Sequence, residues 1–546
     1  MLRDLWRFRT SLVPGLGIAT GLLGFAGLLF WVLTHSGGES ELLSFDARIF
    51  SLLRFTLFQA TLSTILSLII GTLLAWSLTH QPHFRGRAIL ITLFSSSLVL
   101  PTLIVAFGII TVLGNHGWLN QLIEWAGGHT LGSFVYGLGG ILVAHVYLNA
   151  SFAAVGLLQA FESIPTDKYR LAKSLGLTPW QRFRTVEWVA LRGSFPSIGA
   201  TIFLLCFSSF AIVLLLGGSP SYNTLEVAIY EAVRVDFDIP YALRLALIQL
   251  AISAALVLFT SRLRGGLHNL KEGTRIHSWR DSLRWRLLQR TIISLLFVLY
   301  LLPLLAVFLD GLQADLISIV TRPLFVRSLW MSLLIASASA VLTIAIALML
   351  ADTRRHFGAP FRLPNNTPLV RLLSLLVAFS GNLYLAIPSL ILGLGFFLIA
   401  RMFGGSMQAW GIVAIITANV LMSLPFALSV VAPAMQKTAQ RYDKLVFSLG
   451  LSAWSRWRHA EWPYLRRSVA YIGALSFALS LGDLGVIALF GNREVTTLPW
   501  YLYQLMGSYR TQDAAGVALI MLVLVLGVFF VVHYERKGGA EDVARP

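Results

Sequence analysis

The sequence predicts an all-α, polytopic membrane protein of about 12 transmembrane helices, arranged as two parallel six-helix repeats. Three observations carry that prediction. Of the 546 residues, 56% are hydrophobic and only 12% are charged, half the charged share of an ordinary soluble chain. Apolar runs of about 20 residues, the length that crosses a bilayer core, recur along the chain. A segment of 23 residues also occurs twice, 274 positions apart. This composition excludes a disordered protein, a disulfide scaffold and an ordinary cytosolic enzyme.

The first span is expected over 12–34, behind Arg3, Arg7 and Arg9. Those flanks resemble a signal peptide, but the run is long enough to cross and no small-residue cleavage site follows. A retained span that begins in the cytoplasm is therefore expected, with Gly17 and Gly21 in G-x-x-x-G register for helix packing. Spans at 55–79, 88–113, 137–161, 194–217 and 243–262 complete a first half over 1–262. A basic linker over 263–288 leads to a second half, 289–546, with spans at 289–309, 328–350, 372–399, 409–433, 468–490 and 513–533.

Charge supplies the orientation. The net charge of +17 would point to nucleic acid in a soluble protein, but in a membrane chain basic residues gather on the cytoplasmic side. Alternating the loops puts 33 of the 42 Lys and Arg residues on one side, and the loop from Leu113 to Tyr136 holds none. Both termini are expected in the cytoplasm, and no nucleic-acid partner is expected.

The repeat is the most informative feature. RLAKSLGLTPWQRFRTVEWVALR (170–192) and KLVFSLGLSAWSRWRHAEWPYLR (444–466) agree at 12 of 23 positions. Shared apolar composition does not produce matched Gly176/Gly450, Trp180/Trp454, Arg182/Arg456, Arg184/Arg458 and Glu187/Glu461. Leu171 and Leu175, like Leu445 and Leu449, are four apart and share a helix face. Gly176 and Gly450 stand where a helix ends in a left-handed residue. Thr178-Pro179-Trp180-Gln181 then reads as an N-cap with a capping-box Gln, and Ser452 takes the equivalent cap. Each loop is thus a helix, a glycine corner and a second helix. Glu187 and Glu461 follow Arg184 and Arg458 by three positions, a spacing that pairs charges within the loop.

These loops resemble the EAA motif of ABC-importer permeases, with pattern E-A-A, three residues, G, nine residues, I-x-L-P. The pattern falls on Arg170-Leu171-Ala172 and Gly176 in the first half, and on Lys444-Leu445-Val446 and Gly450 in the second. The acidic first position is basic in both copies, and the final Pro survives only as Pro463. Two fused halves resemble the thiamine and ferric-iron branches of the family. GDLGVIALFGN and TLPWYLYQLMGSYRTQD (482–513) are similar to the thiamine permeases. The resemblance implies a permease subunit of the bacterial inner membrane, working with two copies of a cytoplasmic ATPase, a periplasmic substrate-binding protein and surrounding lipid. It also implies a small cationic substrate, and ATP bound on the partner. Arg170, Leu171, Ala172, Leu175, Gly176, Glu187, Lys444, Leu445, Val446, Leu449, Gly450 and Glu461 would form the ATPase-coupling loops.

No G-x-x-x-x-G-K-[ST] loop or metal-ligand spacing occurs, so neither a catalytic role nor a bound cofactor or metal is expected of this chain. Cys206 and His145 read as buried structural residues. Asp483 stands in an apolar run, either as a carboxylate on the route of a cation or as a hydrogen-bonded packing residue. Its counterpart in the first half is Ser209; Tyr384 is a further candidate to stack on a cationic ring. A ferric-iron or other small-solute importer stays open as an alternative. An ion-driven transporter is disfavoured, because it would place more ionisable groups in its spans.

Overall fold

The computed structural model describes residues 2–35, 46–130, 132–218, 222–263, 281–356, 368–404, 406–492 and 494–542. Among these, every regular element is helical. The first half contains α1 (Leu2–His35), α2 (Ala47–His80), α3 (Arg87–Ser95), α4 (Thr102–Leu113), α5 (Trp118–Trp125), α6 (Leu138–Glu162), α7 (Thr166–Ser174), α8 (Pro179–Arg182), α9 (Trp188–Leu191), α10 (Phe195–Phe207), α11 (Ala211–Leu216), α12 (Leu225–Arg234) and α13 (Ile239–Leu263). The second contains α14 (Leu283–Gln313), α15 (Leu316–Thr321), α16 (Pro323–Arg355), α17 (Pro368–Ser380), α18 (Ser389–Phe403), α19 (Met407–Ser448), α20 (Ala453–Ser455), α21 (Trp462–Leu481), α22 (Gly485–Phe490), α23 (Leu498–Gly507) and α24 (Thr511–Asp542).

Ten stretches among the described residues are long and apolar enough to cross a bilayer. Other expected spans are broken. The one at 88–113 divides into α3 and α4 ahead of Pro101, and the stretch long enough to cross there is Thr102–Trp125 instead. The one at 194–217 follows a bend of 67° between the α8–α9 stretch and α10, and is interrupted again at Ser208–Phe210. The one at 372–399 divides into α17 and α18 around Pro388. Proline removes a backbone donor and disfavours helix in the residue before it, so the division falls there.

Each half lends its first helix to the other. Helix α14 packs on α2 and α4 as well as on α24 of its own half, while α1 packs on α16, α17 and α18. Within the first half α2 lies tightly against α6: a Cβ at Gly71 would stand 2.6 Å from the Ala153 Cβ and 2.8 Å from the Ala150 carbonyl oxygen. Small residues there let two backbones approach, the usual device where lipid replaces the hydrophobic drive. The G-x-x-x-G expectation fails on geometry: a Cβ at Gly17 or Gly21 would meet nothing within 4 Å. In that helix the close approach is Gly15 against Thr353.

Candidate functional site

Both copies of the duplicated segment fold into the same corner. Helix α7 ends at Leu175, Gly176 takes φ +63°, and Leu177 N–H donates to the Ala172 carbonyl at 3.1 Å. In the second copy Gly450 takes φ +61° and Leu451 N–H donates to Val446 at 3.2 Å. A bond that spans five residues past a left-handed glycine is a Schellman cap. The next helix starts on Thr178, whose Oγ1 accepts from Gln181 N–H at 3.3 Å while the Gln181 side chain accepts from Thr178 N–H at 2.9 Å. Ser452 caps its helix through the Ser455 N–H at 3.2 Å.

The apolar residues of these corners point outward. Leu171 and Leu175 are 60% and 65% exposed, and Leu445 and Leu449 are 53% and 62% exposed. Trp180 and Trp454 are likewise exposed, whereas Ala172 is buried against its own half. Arg170 and Lys444 are exposed at the helix surface, Val446 is half-buried, and Arg170 pairs with Asp167 at 3.4 Å. Four leucines left in water at matched positions form two small apolar knobs.

The glutamates take different partners from those expected. Glu187 receives Arg182 Nε at 3.0 Å and lies 3.1 Å from His80 Nε2. Glu461 receives Arg456 Nε at 2.9 Å and Arg355 at 2.5 Å. Residues 183–187 and 456–461 are π-helical. The i→i+5 winding brings positions five apart onto one face, so Arg182 and Arg456 displace Arg184 and Arg458. In both halves the glutamate thereby ties the corner to the end of a long helix, α2 through His80 and α16 through Arg355. The first corner has an added tie: Arg182, fully buried, grips Asp281 with bonds of 3.0 and 3.3 Å. Gln289 of α14 also donates to Asp281 at 2.8 Å. Burial alone would raise the Asp281 carboxyl, but the hydrogen bonds and charge of Arg182 outweigh it and hold the group below the usual carboxylate range.

Midway along the bundle lies a cavity of about 250 Å³, near the roughly 300 Å³ lower bound of small-molecule sites. It is lined where helices break: Pro101–Thr102, Ser208–Phe210, Ser389 and Gly482–Gly485, from both halves. The structure brings Ser209 and Asp483 together on its wall. Asp483 Oδ1 accepts from Gly485 N–H at 3.2 Å, and no basic side chain pairs with it among the described residues. His145, bonded to Ser63 Oγ at 3.1 Å, and Asn419, donating to Ser480 Oγ at 2.7 Å, add polar groups. Tyr384 is not part of this wall: it is fully buried elsewhere and donates its hydroxyl to the Leu22 carbonyl at 2.7 Å. A phenol facing a span from the other half serves packing between halves. Cys206 is buried and accepts from Asn149 at 3.2 Å.

Sequence reasoning missed Glu226. It is fully buried in the first turn of α12, accepts from Gln249 at 3.0 Å and interacts electrostatically with Asp483. Its segment, LEVAIYEAVR, reads as a short amphipathic helix in which Glu226 looks like one more polar residue beside Glu231 and Arg234.

Two bundles with exchanged first helices, a shared cavity of broken helices and paired knobs at one end define a membrane permease. The chain matches the model of the binding-protein-dependent transport system inner membrane component over residues 67–265 and 367–536, once in each half. It belongs to that family, as a multi-pass inner-membrane permease subunit of an ABC importer and not an enzyme. It is 39% identical over 527 residues to the thiamine transport system permease protein of Escherichia coli (strain K12), covering 96% of each chain. The thiamine transport system permease protein of Haemophilus influenzae is 37% identical over 499 residues, 90% of each. A molybdenum transport system permease protein of Azotobacter vinelandii matches 177 residues at 31% identity, covering 32% of this chain and 76% of that one.

Proposed function

We propose that the chain forms the translocation pathway of a thiamine importer and couples it to a separate ATPase through the two glycine corners. The observation that carries the coupling is the matched pair of outward leucines, Leu171/Leu175 and Leu445/Leu449, beside left-handed Gly176 and Gly450. Symmetry-related knobs suit two copies of one cytoplasmic ATPase. The basic bias of that end, 33 of 42 Lys and Arg residues, supports placing it and both termini in the cytoplasm. A periplasmic binding protein would deliver substrate to the opposite end. The first half extends over 1–262 and the second over 289–546, joined by the linker at 263–288.

Closure of the ATPase pair would draw the corners together. Through Glu187–His80 and Glu461–Arg355 that movement reaches α2 and α16, and the halves rock about the central cavity. Asp483 supplies negative charge there without a basic partner, which suits a cationic ring. The high similarity to thiamine permeases over almost the whole chain favours thiamine over a metal chelate or oxyanion.

The test is uptake of labelled thiamine by proteoliposomes that hold the chain, its ATPase and its binding protein. ATP-dependent uptake, lost in Gly176→Asp/Gly450→Asp together with ATPase association, is expected. Uptake competed by ferric chelates and not by thiamine would overturn the substrate; association intact in the double variant would overturn the coupling.

A further inference from the structure

The repeat offset of 274 relates residues on the wall of the central cavity in pairs: His145 to Asn419, Phe152 to Phe426 and Ser209 to Asp483. The two polar pairs are unequal, but the phenylalanines match. Position is therefore shared between the halves while the chemistry is divided between them.

The polar residues gather at one level. Three buried polar atoms of this wall lack a hydrogen-bond partner among the described residues: Ser97 Oγ, His145 Nε2 and Asp483 Oδ2. Buried donors and acceptors are nearly always satisfied, so three orphans around one cavity mark where a guest bonds. His145 Nδ1 is bonded at 3.1 Å to Ser63 Oγ of α2, which is not part of the wall, so the ring turns its other edge to the cavity. In the second half Asn419 donates to Ser480 Oγ at 2.7 Å, and Asp483 N–H donates to the Ser480 carbonyl at 3.4 Å. Asp483 thus stands within one turn of the Asn419 level, and Asn419 is the repeat counterpart of His145.

The aromatic residues form a second level. Phe152 follows His145 by seven residues on α6, and Phe426 follows Asn419 by seven on α19. Seven residues are two helical turns, about 10 Å, and return to the same face. Both helices run on from there into the glycine corners, so the aromatic tier lies nearer that end. Packing against a cavity does not require a ring: the adjacent pair at the same offset, Leu148 and Met422, is aliphatic and unmatched. Phe152 and Phe426 are half-buried and stand on different halves, as two faces of a clamp must.

We propose that the cavity is a two-tier site for a cargo of two linked rings: His145 and Asp483 hold its cationic ring, and Phe152 and Phe426 clasp its second, flat ring between the halves. This deepens the importer reading above, on which it rests. Because the clasp spans both halves, their rocking opens it and frees the cargo toward the corner end.

The test is equilibrium dialysis of the purified permease–ATPase complex, without binding protein, against labelled thiamine and against the N-methylated thiazolium fragment of thiamine. The fragment keeps the cation and lacks the second ring. Leucine keeps apolar bulk, so Phe152→Leu/Phe426→Leu is expected to melt close to wild type. Its thiamine Kd is expected to rise about tenfold, with less in each single variant, while the fragment binds within about twofold of wild type. Phe152→Tyr/Phe426→Tyr should keep thiamine binding, and Asp483→Asn should weaken both ligands alike. Equal losses of thiamine and fragment in the leucine variant would overturn the second tier, as would no loss of thiamine. A wild-type complex that imports thiamine with its binding protein but binds none in dialysis would also overturn the site. One that neither binds nor imports thiamine would refute the thiamine reading itself, a separate outcome.

Discussion

Removing the charge of Asp281 tests how the first glycine corner is held. The side chains of Arg182 and Asp281 are 1% and 2% exposed, and two bonds of 3.0 and 3.3 Å join them. Breaking a buried pair from one side costs about 3–5 kcal/mol, because the remaining charge stays buried without compensation. In Asp281→Asn the arginine keeps Glu187 at 3.0 Å, so the lower end, about 3 kcal/mol, is expected. Arg182→Met leaves two carboxylates facing each other and should cost more. In the double variant the penalties should not add, with a coupling energy of about 2 kcal/mol or more. Unfolding of the four proteins in detergent, followed by tryptophan fluorescence, measures the cycle. A coupling below about 0.5 kcal/mol would refute the inference that this pair locks the corner.

The same pair makes a pH prediction. Asp281 titrates below its ordinary value of about 3.9 when folded, so its stabilisation is present above that value. It is lost as pH falls through the lowered folded value. The difference between wild type and Asp281→Asn is therefore full at pH 7 and narrows only below about pH 4.

Gly176→Ala and Gly450→Ala put a side chain on left-handed backbone; open space surrounds both Cβ positions, so the cost is conformational alone, about 1–2 kcal/mol each, read by thermal melting. Leu171→Asp with Leu445→Asp should change stability by no more than about 0.5 kcal/mol, since both are exposed, yet abolish co-purification of the ATPase. Asp483→Asn should raise the KM for thiamine uptake at least about tenfold while leaving ATPase association unchanged, a split that transport kinetics resolve.

Much of this architecture was legible because membranes simplify the reading. A run of about 20 apolar residues has few alternatives in lipid, and the duplicated Gly, Ser/Thr and Leu positions carry their own local physics. The caps at Thr178 and Ser452 and the corners at Gly176 and Gly450 follow from bonds within five residues. Contacts that close over long separations were not legible. Asp281 meets Arg182 across 99 positions, and Tyr384 meets Leu22 across 362. The offset of 274 relates Ser209 to Asp483, and both line the same cavity, because a repeat converts a distant relation into arithmetic. Glu226 has no such counterpart; position 500 in the second half is Trp.

The misassigned glutamate partners show what the repeat preserves. In an α-helix, advancing about 100° per residue, Arg182 and Glu187 would stand about 140° apart, and Arg184 would be the nearer base. Both copies instead keep arginine and glutamate five positions apart, and in both the backbone widens to i→i+5 bonding there. The wider turn is needed because each glutamate must face two ways, toward its own arginine and toward His80 or Arg355 at the end of a long helix. A regular helix would satisfy the first contact through Arg184 or Arg458 and leave the second unmade, with the corner free to swing. The copies keep the corner glycine, this arginine and this glutamate in one register, because knob, hinge and strut must agree in angle for two halves to move together.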